Sequence, residues 1–268
     1  MKKTALIWIV AVLVTLFSVV FQRLTGPSYP VRGRIDIAGE PVRFEFFRSH
    51  ESTADAPVVI AIANEDIRGE ILWRRLKSHD TLQSLPLVRR GGSLEGFIPR
   101  QPAAGKIAYR VILYDGTATR YDLTGEPVVI RFTDPVPRSI LVLHILFIFT
   151  AMLMSNKVGL DALVRKEAAY RQIVATVALV FVGGLIFGPV VQKYAFGALW
   201  TGWPLGHDLT DNKTLVAFLF WLPTLWKARR AGTGRGWVIL AAVVTLVIFL
   251  IPHSVLGSEL DYREMGGD

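Results

Sequence analysis

Gln172-Ile-Val-Ala-Thr-Val-Ala-Leu-Val-Phe-Val-Gly-Gly-Leu-Ile-Phe-Gly-Pro-Val-Val191 runs from residue 172 to residue 191 without a charged side chain. At about 1.5 Å of rise per residue, such a run reaches across the ~30 Å hydrocarbon core of a bilayer. Four more apolar runs flank it, at residues 5–21, 139–155, 213–226 and 237–251. The last two are short and need neighbours such as Asn212 or Pro252 to complete a crossing. The chain has 268 residues, of which 51% are hydrophobic and 19% charged, and its mean hydropathy is positive. These values exclude an ordinary soluble enzyme of this size and predict a five-helix transmembrane bundle.

The formal charge of +8 raises the question of nucleic acid. Its distribution answers differently. Lys2 and Lys3 precede the first run. Lys157, Arg165, Lys166 and Arg171 lie between the second and third, and Lys227, Arg229, Arg230 and Arg235 between the fourth and fifth. With five alternating helices all three clusters fall on one side, the positive-inside pattern. The expected partner is therefore the lipid bilayer of a bacterial-type inner membrane and no nucleic acid. The N-terminus is cytoplasmic in this reading, and residues 23–137 and the C-terminus lie outside. Met1-Lys-Lys before an apolar run also resembles a signal peptide. The stretch Ser18-Val-Val-Phe-Gln-Arg23 offers no small-x-small cleavage site, so an uncleaved anchor over residues 1–22 is expected.

Between the first two runs the pattern changes to period two, as in Val31-Arg-Gly-Arg-Ile-Asp-Ile37, Val42-Arg-Phe-Glu-Phe-Phe47 and Ile107-Ala-Tyr-Arg-Val-Ile-Leu-Tyr114. Further candidate strands are 58–63, 68–73, 93–98, 117–123 and 128–132. Ala38-Gly39, Asp115-Gly116 and Gly125-Glu-Pro127 supply turns. Seven or eight short strands imply an extracytoplasmic all-β sandwich at residues 23–137, inserted between helices one and two. The chain has no Cys. That removes disulfides, thiolate sites, a strict immunoglobulin domain and heme attached through Cys-x-x-Cys-His. A fibronectin-like or other sandwich fits better. A four-helix domain at 138–256 and a polar tail at 257–268 complete the expected order.

Outward from the opening run lies Gln192-Lys-Tyr-Ala-Phe-Gly-Ala-Leu-Trp200-Thr-Gly-Trp203-Pro-Leu-Gly-His207-Asp208-Leu-Thr-Asp211-Asn-Lys-Thr214. This loop, 192–214, should face outward, as should His144 and His253. An imidazole in the hydrocarbon region is costly and usually has a partner. His144 is therefore either a helix–helix hydrogen bonder or, with His253, a ligand pair, because neutral imidazole is a common nitrogen ligand of metals and heme iron. Trp200 and Trp203 form an interfacial belt or a stacking platform for a porphyrin or quinone. Lys193 and Lys213 are placed to pair with carboxylates of such a cofactor. Asp208 and Asp211 have two readings as well. Thr210 or Asp211 suits the N-cap of the fourth span, and His207, Asp208 and Asp211 suit a hard divalent metal.

The order of an outer His on a helix, a Trp-rich loop ending in Asp, and a second outer His resembles the tryptophan-rich heme-handling membrane proteins of cytochrome c maturation. That resemblance covers spans two to five. It implies heme presented outside, ligated by His144 and His253, with Trp200 and Trp203 in the platform and Asp208 or Asp211 at its end. In this chain no Trp directly precedes either Asp, and Pro204-Leu-Gly-His207 replaces part of the aromatic run. Two alternatives stand beside heme. One is a non-enzymatic, membrane-anchored interaction or assembly protein that binds an extracytoplasmic partner through its sandwich. The other is a metal-dependent membrane enzyme. Ser254 beside His253 lacks a nucleophile elbow, and no phosphate-binding glycine loop is present, so catalysis is not the expected role.

Overall fold

The computed structural model describes residues 2–167, 169–230, 234–252 and 257–265. The fold is mixed. Met1–Pro27 with Val136–Ser258 makes a helical unit, and Ser28–Pro135 with Glu259–Asp268 makes a β-unit.

All five apolar runs are helical. α1 (Lys2–Thr25) is built from Leu, Val, Ile, Phe and Ala, and Gly26-Pro27 ends it. Its Thr15 and Ser18 hydroxyls donate to the carbonyls of Ala11 and Val14, at 2.7 and 2.8 Å, so they add no unpaired donor to an apolar helix. α2 (Arg138–Leu160) follows Pro135-Val-Pro137 and continues as a π-helical stretch, Asp161–Arg165. α3 (Tyr170–Val180) runs through a second π-helical stretch, Phe181–Phe187, into α4 (Gly188–Phe196). Gly188-Pro189 opens α4. The proline ring carries no N–H, and the widened turns lie immediately before it. α5 (Leu209–Ala228) and α6 (Arg235–Leu250) complete the set. Three helices are long and apolar enough to cross a membrane: Lys2–Thr25, Arg138–Arg165 and Tyr170–Phe196; Arg235–Leu250 is apolar but shorter.

Small residues bring these helices together. A Cβ on Gly159 would lie 2.5 Å from Ala242 Cβ, and one on Gly183 would lie 2.9 Å from the Ile148 backbone nitrogen. Close backbone approach of this kind drives helix association where no water is expelled. Trp221 is fully buried, and its indole N–H donates to Thr245 Oγ1 at 2.9 Å, joining α5 to α6.

In the β-unit, β1 (Val31–Ile37) and β2 (Glu40–Phe46) pair through a two-residue turn, Ala38-Gly39. Both turn residues have positive φ, 49° and 84°, which matches the twist of a hairpin. Gly33 is required opposite Phe44, since a Cβ there would sit 2.2 Å from the ring. β3 (Ser49–Glu51), β4 (Ala56–Ala61), β5 (Arg68–Arg75), β6 (Gln83–Pro86), β7 (Val88–Arg90), β8 (Ser93–Ile98), β9 (Lys106–Tyr114), β10 (Arg120–Asp122) and β11 (Val128–Thr133) follow. One sheet has the order β3-β11-β9-β5-β6, with β10 also on β9, and a second has β4-β8-β7. Two differences from the sequence reading stand out. β3, β6 and β7 are additional strands, and β3 pairs with β11 in parallel. All three sheets contribute to one core, including Ile37, Phe46, Ile60, Ile71, Ile98, Val111 and Phe132. Burying each large side chain contributes about 1.5–3 kcal/mol.

Candidate functional site

The loop is shorter than the expected 192–214, because α4 runs to Phe196 and α5 starts at Leu209, and residues 197–208 are clamped by the first turn of α5. Gly197, at φ 83°, ends α4. Asp211 Oδ2 accepts from the backbone N–H groups of Thr201 and Gly202, at 2.7 and 3.0 Å, and Asn212 Oδ1 accepts from that of Trp203 at 2.6 Å. Gly202 is fixed by this arrangement, because a Cβ there would lie 2.6 Å from Asp211 Cβ. Asp208 is the N-cap of α5 and accepts from Thr210 N–H at 2.8 Å. Its other oxygen accepts from the Ser258 N–H and hydroxyl at 2.8 and 2.9 Å. The capping expectation is thereby corrected. Thr210 is the donor and Asp211 is occupied by loop amides, so Asp208 is the residue left to cap.

The same bonds decide how the predicted ligands are used. Among the described residues, no group of three His, Cys, Asp or Glu could hold a metal ion. His207, Asp208 and Asp211 therefore do not form the expected metal set. The two carboxylates are buried and turned onto amides, and His207 is exposed. Lys213, 5% exposed, donates to the Ile251 carbonyl at 2.8 Å, and Lys193 donates to the Gly197 carbonyl at 2.7 Å. Neither is turned toward a cofactor carboxylate. Trp200 donates its indole N–H to the Trp203 carbonyl at 3.1 Å. With the polar groups used internally, the loop presents Leu199, Trp203 and Leu205 outward, with Leu205 77% exposed.

His144, on α2, is half-buried. Its Nδ1 lies 2.9 Å from the Gly183 carbonyl oxygen on the second π-helical stretch. A carbonyl only accepts, so Nδ1 carries the proton and Nε2 is the acceptor in the neutral ring. His253 lies outside the described residues.

A second constellation, in the β-unit, escaped the sequence reading. The segment Glu259-Leu-Asp-Tyr262-Arg263 folds onto strands and loops of that unit. Glu259 is bonded by Lys106 Nζ and lies 3.1 Å from Lys77 Nζ. Leu260 N–H donates to the Ala104 carbonyl, and Arg263 N–H to the Lys77 carbonyl, both at 3.2 Å. Tyr262 is 8% exposed, and its hydroxyl donates to Gln101 Oε1 at 2.9 Å. The Arg75 guanidinium lies 4.7 Å from the centroid of that ring. Asp80 holds Arg75 through two bonds, of 2.6 and 2.8 Å. Gly105 leaves room for the phenol, since a Cβ there would be 2.4 Å from the Tyr262 hydroxyl oxygen.

Charge follows this geometry. Bonds from Arg75 hold the Asp80 carboxyl below its ordinary pKa despite some desolvation. Desolvation pushes Glu259 upward, but the bonds and charges of Lys106 and Lys77 outweigh it and leave the carboxyl below its ordinary value. Burial raises the Tyr262 phenol. The sequence signal was thin: Tyr262 and Glu259 lie in a polar tail, and their partners Gln101 and Lys106 are 161 and 153 residues away.

No protein-family model matches the chain, and a search of curated proteins finds no match.

Proposed function

We propose that the chain is a membrane-anchored interaction or assembly protein of a bacterial inner membrane. Five crossings carry an extracytoplasmic β-sandwich that receives an extended peptide segment from a protein partner. Three apolar helices of crossing length and the three basic clusters support the membrane placement and orientation. The observation that carries the functional reading is the docked 259–263 segment. Two lysines meet one glutamate, a tyrosine fills a pocket beside Arg75, and two backbone bonds fix the register. The partner this groove fits offers a Glu-x-x-Tyr segment. Such a partner competes with the chain's own tail, whose effective concentration is on the order of millimolar.

The test uses the full chain in detergent and a variant ending at Ser258. A labelled peptide, Glu-Leu-Asp-Tyr-Arg-Glu-Met, is titrated onto both. The shortened chain binds it saturably, the complete chain binds it at least ten-fold more weakly, and Lys106→Ala weakens its binding to the shortened chain. A shortened chain that stays folded and ignores the peptide, or binds a scrambled one equally, sinks the reading.

One observation favours a second reading, heme or a similar redox cofactor at the outer face. The Gly183 carbonyl accepts from His144 Nδ1–H and leaves the Nε2 lone pair available, the arrangement that backbone carbonyls give ligating histidines. His144 would hold the iron of such a group through Nε2. Lys193 and Lys213, engaged with backbone carbonyls, do not fit the carboxylate role. Absorption spectra with and without added heme separate the two readings. A Soret band lost in His144→Ala establishes the second, and no band in either sample leaves the first.

A further inference from the structure

We infer that the helical unit binds the headgroup of an anionic phospholipid at the end opposite the aromatic loop. Lys166, Glu167 and Ala169, the start of α3, the end of α5 and the start of α6 line a cavity of about 400 Å³. Three cations line it, Lys166, Arg230 and Arg235, against one carboxylate, Glu167. The two guanidiniums are held in place. Arg230 lies 4.6 Å from the centroid of the Trp226 ring, and Arg235 Nε donates to the Ala162 carbonyl at 2.9 Å. Two helix N-termini open on the same cavity. Their N-cap residues, Ala169 and Gly234, have no side-chain acceptor, and neither first turn contains an acid. Helix starts of this kind favour an anion.

The ligand is a phospholipid because the setting is amphipathic. Ile173 and Val238 give the cavity a buried apolar floor. One residue on from Val238, Ile239 begins a separate apolar groove with Leu160, Leu163 and Val243, about 150 Å³ in volume. A phosphate among the cations with an acyl chain in a neighbouring groove matches that pairing. Basic pockets between helix ends are suited to anionic lipid headgroups on physical grounds.

The test uses the full chain in neutral detergent, with dioleoyl phosphatidylglycerol, dioleoyl phosphatidylcholine and inorganic phosphate as separate probes. Native mass spectrometry reads retained lipid, and the unfolding temperature reads stabilisation. Phosphatidylglycerol is retained more strongly than phosphatidylcholine and raises the unfolding temperature, whereas phosphate alone does neither. The variant K166Q/R230Q changes two exposed side chains and loses about five-fold in lipid affinity per cation removed. Lys166→Arg with Arg230→Lys keeps the charge and the retention. Equal retention of the two lipids overturns the inference, as does undiminished phosphatidylglycerol binding by K166Q/R230Q. A phosphate effect equal to that of phosphatidylglycerol overturns it too, by assigning the pocket to a soluble anion.

Discussion

Buried carboxylates at the two ends of the helical unit meet different kinds of donor. At the loop end, Asp208 and Asp211 are answered by backbone amides and by the hydroxyls of Ser258 and Thr201. At the basic end, Asp161 is answered by Lys157 Nζ at 2.5 Å, with Arg165 3.7 Å away, and its Oδ1 has no hydrogen-bond partner among the described residues. Amide donors have fixed directions, so they shape a loop and leave its apolar side chains outside. Ammonium and guanidinium donors on long stems impose less shape, and beyond Asp161 the helix ends stay apart around a cavity. One end leaves apolar side chains exposed and the other surrounds a cavity.

Substitution separates the two arrangements. The largest effect is expected at the basic end. Asp161→Asn leaves Lys157, itself 3% exposed, without its counter-charge and costs about 3–5 kcal/mol. Adding Lys157→Met recovers most of that loss, because an apolar pair needs no charge balance. At the loop end, Asp211→Ala leaves the Thr201 and Gly202 amides unpaired and costs about 2–3 kcal/mol. No second side-chain substitution recovers it, since the partners are backbone. Denaturation in mixed micelles checks both. A loop end that is rescued as readily as the basic end would erase the distinction. Next in size is Gly202→Ala. The Asp211 Cβ stands where the new methyl would go, and about 1–3 kcal/mol is lost.

The sequence made some of this legible and hid the rest, for physical reasons. Val31–Ile37, read from alternation, and Ser93–Ile98, read as a further candidate, are strands over the expected residues, because each has one face on the core. β3, β6 and β7 have three or four residues each, too few to show a period, and the β3–β11 pairing joins residues about 80 apart. The helical runs were plain from hydropathy. The choice of Asp208 as the cap was not, because it depends on Asp211 being occupied elsewhere. Likewise Tyr262 sits among polar neighbours in sequence, and its burial depends on Gln101, Arg75 and Gly105.

The 259–263 segment provides a third arrangement of a carboxylate, and the smallest expected effect. Glu259 is partly exposed and meets two lysines, one of them 47% exposed, so water and salt screen part of the attraction. Its carboxyl is held below the ordinary value of 4.5 in the folded state. A depressed carboxyl stabilises docking fully above the unfolded value and loses that contribution as pH falls through the folded one. Affinity of the labelled tail peptide for the chain ending at Ser258 is therefore flat from pH 7 to about 5. It weakens below about 4.5 and weakens further with added salt. A peptide with glutamine at the Glu259 position binds more weakly at neutral pH and loses most of the acid response. Docking that stays unchanged on acidification would show that apolar burial of Tyr262, and no ion pair, holds the segment. Asp211, whose closest donors are the Thr201 and Gly202 amides, should stay salt-insensitive under the same titration, which would sharpen the contrast between carboxylates answered by backbone and those answered by charge.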